Sequence, residues 1–183
     1  PEKVKRFKRG MDKLLQKQLR NGRDDENIRA VLLTGNGKAF SAGQDIAELT
    51  GENAISIDKI LSEHFNPIVV LIQHMHKPVI AAVNGVAAGA GFQIALCADL
   101  RVGYPEMKLG QPEIKAGLAS IVGSYLMTMH LGLSKNIELS LTGELISGEV
   151  AHDIGILNHL VPRGEVMSKS LAPPAELSKP GRT

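Results

Sequence analysis

The stretch Asn84-Gly-Val-Ala-Ala-Gly-Ala-Gly-Phe-Gln93 constrains the fold more than any other part of the chain. It follows an apolar, strand-like run at 78–83 and leads into a helix-like run at 94–98. A helix that begins among glycines leaves its first backbone N–H groups without partners inside the helix. Because the helix dipole is positive at that end, the turn suits an oxyanion or a phosphate. The same pattern also fits a tight packing turn between a strand and a helix.

A second segment repeats this arrangement nearer the N-terminus. The β-branched and leucine-rich run Ile28–Thr34 is followed by a Gly-Asn-Gly turn at 35–37. We expect Phe40–Ile46 to open another helix, with Asp45 in its first turn. Two such turns can converge on one carbonyl oxygen, and an oxyanion hole of that kind contributes roughly 3–4 kcal/mol per donor in the transition state. The sequence predicts the donors but not their separation.

Four short motifs follow one another along the chain: AFSAGQDI at 39–46, NGVAAGAG at 84–91, GQPE at 110–113 and LTG at 141–143. In order and spacing they resemble the crotonase (enoyl-CoA hydratase/isomerase) superfamily. Four separated motifs in register are much more specific than one glycine pattern. The resemblance covers residues 1–162 and implies an α/β fold built as a spiral of ββα turns.

The resemblance assigns roles to individual positions. The oxyanion-hole donors would be the backbone N–H groups of Gln44 and Ala90, which would polarise the thioester carbonyl of an acyl-CoA. Coenzyme A would enter as part of the substrate, with no permanently bound cofactor and no metal. The residues that would bind the substrate and its coenzyme A moiety are Lys3, Val4, Ala42, Gln44, Asp45, Ile46 and Gly89.

The carboxylates decide which reaction is implied. Hydratases of this family hold a water molecule between two glutamates; the second matches Glu113, but the first position holds Gln93. Glutamine can hold a water molecule but cannot accept its proton. A single carboxylate favours a proton shuttle that moves a double bond, with the pKa of Glu113 raised by an apolar pocket. Hydration and other acyl-CoA reactions of fatty acid metabolism stay open.

Two other chemistries have less support. A serine hydrolase on the related protease fold needs a nucleophile near the start of the 89–98 helix, where Ala90 and Gln93 stand instead. His74 and His76 are spaced like metal ligands, but no further ligand cluster accompanies them. A pair at a helix C-terminus is therefore favoured over a metal site.

Basic residues are concentrated at the N-terminus. Residues 1–23 contain nine Lys/Arg and two acidic residues, a local net charge of +7 against +2 for the whole chain. Such a helix can bind RNA phosphates, and one crotonase relative does so in this region, so an RNA-binding relative is one alternative. A non-catalytic CoA-binding scaffold is another. An apolar stripe that we expect to face the core argues against nucleic acid, as does the low aromatic content. The stripe comprises Met11, Leu14, Leu15 and Leu19.

The composition is typical of a globular chain. Its 183 residues are 43% hydrophobic and 22% charged, which is enough for a sizeable core. The single cysteine, Cys97, excludes an intrachain disulfide and favours a reducing compartment, so we predict a cytoplasmic location. No apolar run approaches the roughly 20 residues of a membrane span.

The residue pattern predicts alternating helices and strands. The predicted helices are 8–21, 55–75, 89–98, 118–131, 134–141 and 147–154, and the predicted strands are 28–34, 78–83, 100–103, 107–109 and 156–161. The predicted acyl-pocket residues are Phe65, Ile68, Val69, Leu118 and Ile121.

The ends of the chain depart from the family. We expect a crotonase-like acyl-CoA-binding core at 1–162 and a short irregular tail at 163–183, where prolines accumulate. The first strands and the C-terminal helical part of a crotonase are expected to be missing. The resemblance implies a homotrimer or a dimer of trimers.

Overall fold

The computed structural model describes residues 10–44 and 56–172. The α-helices are α1 (Met11–Asp24), α2 (Ile57–Lys59), α3 (Asn66–Gln73), α4 (Ala90–Cys97), α5 (Ile121–His130), α6 (Leu133–Thr142), α7 (Gly148–Asp153) and α8 (Val166–Leu171). The strands are β1 (Val31–Thr34), β2 (Ala39–Ser41), β3 (Val79–Ala82), β4 (Val86–Ala88), β5 (Leu100–Gly103), β6 (Lys108–Gly110), β7 (Ile146–Ser147) and β8 (His159–Leu160). A π-helical segment, Ile60–Phe65, joins α2 to α3 and completes the helix predicted at 55–75. None of the helices in these two ranges is long and apolar enough to cross a membrane.

The strands form two four-stranded sheets that alternate along the chain. The first sheet has the order β1-β3-β5-β8 and is parallel throughout. The second has the order β2-β4-β6-β7, with β2, β4 and β6 parallel and β7 antiparallel to β6. Three successive strand pairs therefore each deliver one strand to each sheet, and helices follow each pair. This is the ββα spiral that the resemblance implied.

The second sheet corrects two predictions. Ala39–Ser41 form β2, although Phe40–Ile46 was expected to open a helix. Val86–Ala88 form β4, although the chain was expected to pass directly from Gly85 into the 89–98 helix. Each strand has three residues, which is too short for an alternating pattern to be recognised in a sequence.

Asn84 joins the turns that carry the chain from one sheet to the other. Its Oδ1 accepts a hydrogen bond from Gly35 N at 2.9 Å. A Cβ on Gly35 would lie 2.0 Å from the carbonyl oxygen of Ala39, and one on Gly85 would lie 2.1 Å from that of Lys38. Only glycine fits at these two positions, because backbone occupies the space of a side chain. The two turns thereby pack together and bring β2 beside β4.

Helix α4 lies in the centre of the core. Every residue from Gly91 to Cys97 is buried, and Phe92 is among the largest fully buried side chains. Burial raises the pKa of the Cys97 thiol to about 12. The thiol therefore stays protonated, and Cys97 is a small core residue, as predicted.

Helix α1 turns only part of the predicted stripe toward the core. Leu19 is buried and Leu15 packs against the core, as predicted, but Met11 and Leu14 are exposed. The buried positions in the first two turns are polar, Asp12 and Gln16. Buried polar side chains need hydrogen-bond partners, and the partners of these two lie on the π-helical segment. Those contacts, rather than the leucine stripe alone, set the rotation of the helix.

The first part of the predicted irregular tail is helical. Residues Arg163–Glu165 form a 3₁₀ turn and α8 follows it, with Val166 and Ser170 buried. The prediction of an irregular 163–183 is therefore wrong for 163–171. The prolines that motivated it begin at Pro173, beyond the helix.

Candidate active site

A cavity of about 190 Å³ lies at the carboxyl ends of the three parallel strands of the second sheet. Neighbouring parallel strands end at the same edge of a sheet, so residues far apart in sequence meet there. The segments after β2, β4 and β6 each contribute to its lining. Six of the predicted site residues line this cavity: Ala42, Gln44, Gly89, Ala90, Gln93 and Glu113. The other four, Lys3, Val4, Asp45 and Ile46, lie outside the described residues.

The two segments that were predicted to carry the oxyanion-hole donors lie close together. Gly43 has a φ of 89°, and its N–H donates to Ser41 Oγ at 3.2 Å. A Cβ on Gly43 would lie 3.0 Å from the carbonyl oxygen of Ala88 and 3.5 Å from the backbone nitrogen of Ala90. The sequence predicted the segment at 84–91 as a turn but expected Gly43 inside a helix that opens at 40–46. The structure gives Gly43 a positive φ and places it so close to Ala88–Ala90 that a side chain there would meet them.

Gly89 brings the second turn against the carboxylate. Its N–H donates to the carbonyl of Gly110 at 3.0 Å, and its φ is 53°. A Cβ at this position would lie only 2.9 Å from Glu113 Oε1. The next residue, Ala90, is the first of α4, so its N–H has no acceptor within the helix.

Glu113 lies in a 3₁₀ helix, Pro112–Ala116, directly after β6. The Gln93 side chain on α4 donates from Nε2 to Glu113 Oε1 at 3.2 Å. Burial is the largest influence on the pKa of Glu113 and raises it, although hydrogen bonds from its own backbone and from Gln93 act in the opposite direction. The carboxyl group is thus a stronger base than a solvated glutamate.

Gln111 was not predicted from the sequence as a site residue. It is fully buried, and its side-chain amide lies 2.7 Å from Glu113 Oε1 and 2.8 Å from Glu113 Oε2. Its Oε1 accepts a hydrogen bond from Gln93 Nε2 at 3.1 Å, so the amide lies between the two predicted site residues. The available signal was its place in the GQPE motif, two residues before Glu113.

The match to known families decides the identity of this arrangement. The family described as Enoyl-CoA hydratase/isomerase matches residues 1–183. The chain belongs to the enoyl-CoA hydratase/isomerase family. The resemblance of its four motifs is thereby confirmed at the level of the family.

Curated relatives and solved structures agree with this membership. The chain is 35% identical over 166 residues to 1,2-epoxyphenylacetyl-CoA isomerase of Escherichia coli K12, covering 88% of this chain and 63% of that protein. It is 32% identical over 157 residues to a probable enoyl-CoA hydratase of Bacillus subtilis, covering 85% and 61%. The enoyl-CoA hydratase structure from Mycobacterium smegmatis superposes with a TM-score of 0.85 at 27% identity, covering 96% and 66%. The chain thus spans about three fifths of the length of these curated relatives.

In this hydratase/isomerase family member, the rest of the cavity wall is apolar. Phe65, Leu118 and Ile121 line it as predicted, whereas Ile68 and Val69 are buried in the core one helical turn further on. Glu113 is the only ionisable side chain among the described lining residues. The remaining apolar lining residues are Ile57, Ile60, Leu61, Pro112, Ala116, Ala119 and Val122.

The histidines at the end of α3 do not join this site. His74 follows the last residue of the helix, and its Nδ1 contacts the carbonyl oxygen of Val70 at 3.1 Å. Within residues 10–44 and 56–172, no group of three His, Cys, Asp or Glu side chains is arranged to hold a metal ion. The prediction of a histidine pair at a helix C-terminus is confirmed for His74.

Proposed function

We propose that this protein is an acyl-CoA enzyme that moves a double bond next to a thioester, with Glu113 as its acid and base. The observation that supports this is the pairing of Glu113 with an amide. Gln93 donates to the carboxylate and cannot take a proton itself, and Glu113 is the only ionisable group among the described residues of the cavity wall.

The substrate is bound by its thioester group. The backbone N–H groups of Gln44 and Ala90 donate to the thioester oxygen, and the contact between their turns supports this assignment. The acyl chain extends along the apolar wall. Coenzyme A is part of the substrate, held with the help of Lys3, Val4 and the Ala42–Ile46 segment, and no resident cofactor takes part.

The reaction is a proton shuttle in which every atom is accounted for. The Glu113 carboxylate removes a proton from C2 of a 3-enoyl-CoA, and the electron pair spreads onto the thioester oxygen. The two N–H donors stabilise this dienolate, because they point to where the negative charge develops. The Glu113 carboxyl group then returns the proton to C4. The double bond now lies between C2 and C3, and the carboxylate is regenerated.

Hydration of a 2-enoyl-CoA is the competing reaction. It needs a base to activate water in addition to an acid that protonates the α-carbon, and Gln93 cannot be that base. We therefore expect hydration to be slower than isomerisation. A relative named as an isomerase and others named as hydratases are both among the similar proteins, so the family membership by itself does not choose between the two reactions.

A paired assay tests this proposal. The purified protein is given 3-hexenoyl-CoA to isomerise and crotonyl-CoA to hydrate under the same conditions. We expect a larger kcat/KM for isomerisation. Hydration that is faster than isomerisation would overturn the single-base mechanism. The absence of both reactions despite thioester binding would favour a non-catalytic scaffold.

The proposal extends to assembly. Helices α5 and α6 expose large apolar side chains, among them Tyr125 at 66%, Leu133 at 65% and Leu141 at 68%. Exposed apolar surfaces of this kind are typical of association sites. We expect a homotrimer or a dimer of trimers that covers them. Size-exclusion chromatography with light scattering checks this, and a monomer at micromolar concentration would contradict it.

A further inference from the structure

One wall of the cavity is the π-helical segment Ile60–Phe65. Its residues Ile60, Leu61 and Phe65 line the cavity together with Glu113. A π-helix is wider than an α-helix, and such segments occur frequently at functional sites. The position of this wall determines how much room the cavity offers an acyl chain.

The segment is bound to α1 by polar side chains. His64 Nδ1 hydrogen-bonds to Asp12 Oδ2. Gln16 Nε2 lies 3.4 Å from the carbonyl oxygen of Glu63 and 3.3 Å from that of His64 and donates to both. The other oxygen of Asp12, Oδ1, accepts from the N–H of Gly10 at 2.9 Å. The Asp12 carboxylate is therefore fixed from both sides.

In the first two turns of α1, the buried positions are occupied by these polar side chains and not by the apolar ones. Asp12 and Gln16 are buried, whereas Met11 and Leu14 in the same two turns are exposed. Burying a polar side chain is unfavourable unless its hydrogen bonds are restored. The orientation of α1 is thus the one that preserves its hydrogen bonds to the π-helical segment.

We infer that Asp12 and His64 are positioning residues that hold the π-helical wall and thereby set the space for the distal part of the acyl chain. They do not line the cavity and act through Ile60, Leu61 and Phe65. The inference rests on the proposed function, in which an acyl-CoA thioester occupies the cavity. A short acyl chain ends near the thioester site and does not need the wall, whereas a long chain packs against it.

Binding of two saturated acyl-CoAs tests this inference, because neither has a double bond to move. Calorimetry measures the Kd of butyryl-CoA and decanoyl-CoA for the wild type, Asp12→Ala and His64→Ala. We expect both variants to weaken decanoyl-CoA binding by about five-fold or more, and butyryl-CoA binding by less than about two-fold. Asp12→Asn keeps a hydrogen-bond acceptor for His64 and should restore decanoyl-CoA binding to within about two-fold of the wild type.

Glu63→Gln is the matched control. Glu63 lies on the same segment, but its carboxylate is exposed and contacts only the exposed Lys59, at 4.0 Å, among the ion pairs of the described residues. An exposed pair of this kind contributes little, so this variant should bind both ligands like the wild type.

Two results would overturn the inference. Equal weakening for both chain lengths would mean that the pair supports only the general structure, and no weakening for either would mean that the wall does not depend on it. If Asp12→Ala does not fold, His64→Ala alone can be measured. The His64 side chain is only partly buried, so its removal should disturb folding less. A wild-type protein that binds neither acyl-CoA would instead refute the proposed function itself.

Discussion

The side-chain amide of Gln93 donates to Oε1 of Glu113 at 3.2 Å in the wall of the cavity. The amide favours the ionised carboxylate, while burial favours the protonated form and is the larger influence on its pKa. A carboxyl group whose ionised and protonated forms are both stabilised by its surroundings is suited to receiving and returning one proton.

Removal of the carboxylate should abolish the reaction but not binding. In Glu113→Gln the amide cannot accept the C2 proton, so kcat for isomerisation should fall by about 10²- to 10⁴-fold. The Kd of butyryl-CoA should change by less than about two-fold, since the oxyanion turns are retained. Glu106→Gln, at an exposed position in the β5–β6 turn, should retain full activity. A Glu113→Gln enzyme with more than a tenth of wild-type kcat would show that another group carries the proton.

A second carboxylate in place of the amide should favour hydration. In Gln93→Glu, two carboxyl groups share one site, so one pKa rises and the pair can hold one proton and activate a water molecule. We expect kcat for crotonyl-CoA hydration to increase by about ten-fold or more. Gln93→Met removes the same hydrogen bond without adding a base and should show no gain. An unchanged hydration rate in Gln93→Glu would mean that the site does not admit water.

Stability and activity should respond to pH in opposite directions. The folded protein raises the pKa of Glu113 above its ordinary value of 4.5. The unfolded chain therefore gives up this proton more readily. Stability associated with this group is fully present below the unfolded pKa and is lost as the pH rises through the folded pKa. Over the same interval the base form accumulates, so kcat/KM should rise.

Urea unfolding of the wild type and of Glu113→Gln at pH 5 and pH 8 measures this effect. The glutamine cannot ionise, so its stability relative to the wild type should be greater at pH 8 than at pH 5. A difference that is independent of pH would show that the carboxyl group does not titrate differently in the folded and unfolded states.

A side chain at Gly89 should disturb both stability and catalysis. In Gly89→Ala the φ of 53° becomes strained, and the Cβ would lie 2.9 Å from Glu113 Oε1. We expect a loss of about 1–3 kcal/mol in the free energy of unfolding and a large loss of kcat. Gly37→Ala is the matched control, because its φ is 84° but no atom lies within 4 Å of the new Cβ. Gly37→Ala should lower the free energy of unfolding but leave kcat unchanged. A loss of kcat in Gly37→Ala would contradict the idea that Gly89→Ala acts through contact with Glu113.

A larger side chain at Ala119 should change the preference of the enzyme for acyl chain length. Ala119 lines the cavity and is exposed, so Ala119→Phe can narrow the cavity without disrupting the core. We expect kcat/KM to fall by about ten-fold or more for 3-decenoyl-CoA and by less than about three-fold for 3-hexenoyl-CoA. Ile114→Phe changes an exposed neighbour that does not line the cavity and should leave the ratio unchanged. Equal losses of kcat/KM for both substrates in Ala119→Phe would mean that the acyl chain does not pass Ala119.

The motifs around Gln44, Ala90 and Glu113 were predictable because each has a local cause. Glycines are needed where a turn brings backbone against backbone, and those residues are visible in a sequence. The apolar run that forms β3 was predictable for a similar reason, since all four of its residues are buried and buried parallel strands are nearly continuous in hydrophobicity.

The partners across the fold were not predictable in the same way. Gln111 and the Asp12–His64 pair are ordinary polar residues in a sequence, and their roles depend on groups that other elements bring to them. The short strands β2 and β4 are equally invisible, because their stability comes from pairing with each other and with β6.

The sequence by itself determined the family, the two glycine turns and the single carboxylate, because these are properties of residue identity and local spacing. The tertiary structure decided that the turns meet, that Gln93 donates to Glu113, and that α1 turns Asp12 rather than Leu14 inward. The physical reason is that hydrogen bonds and close packing between distant segments depend on three-dimensional distance. A sequence does not specify those distances until all of its elements have been packed together.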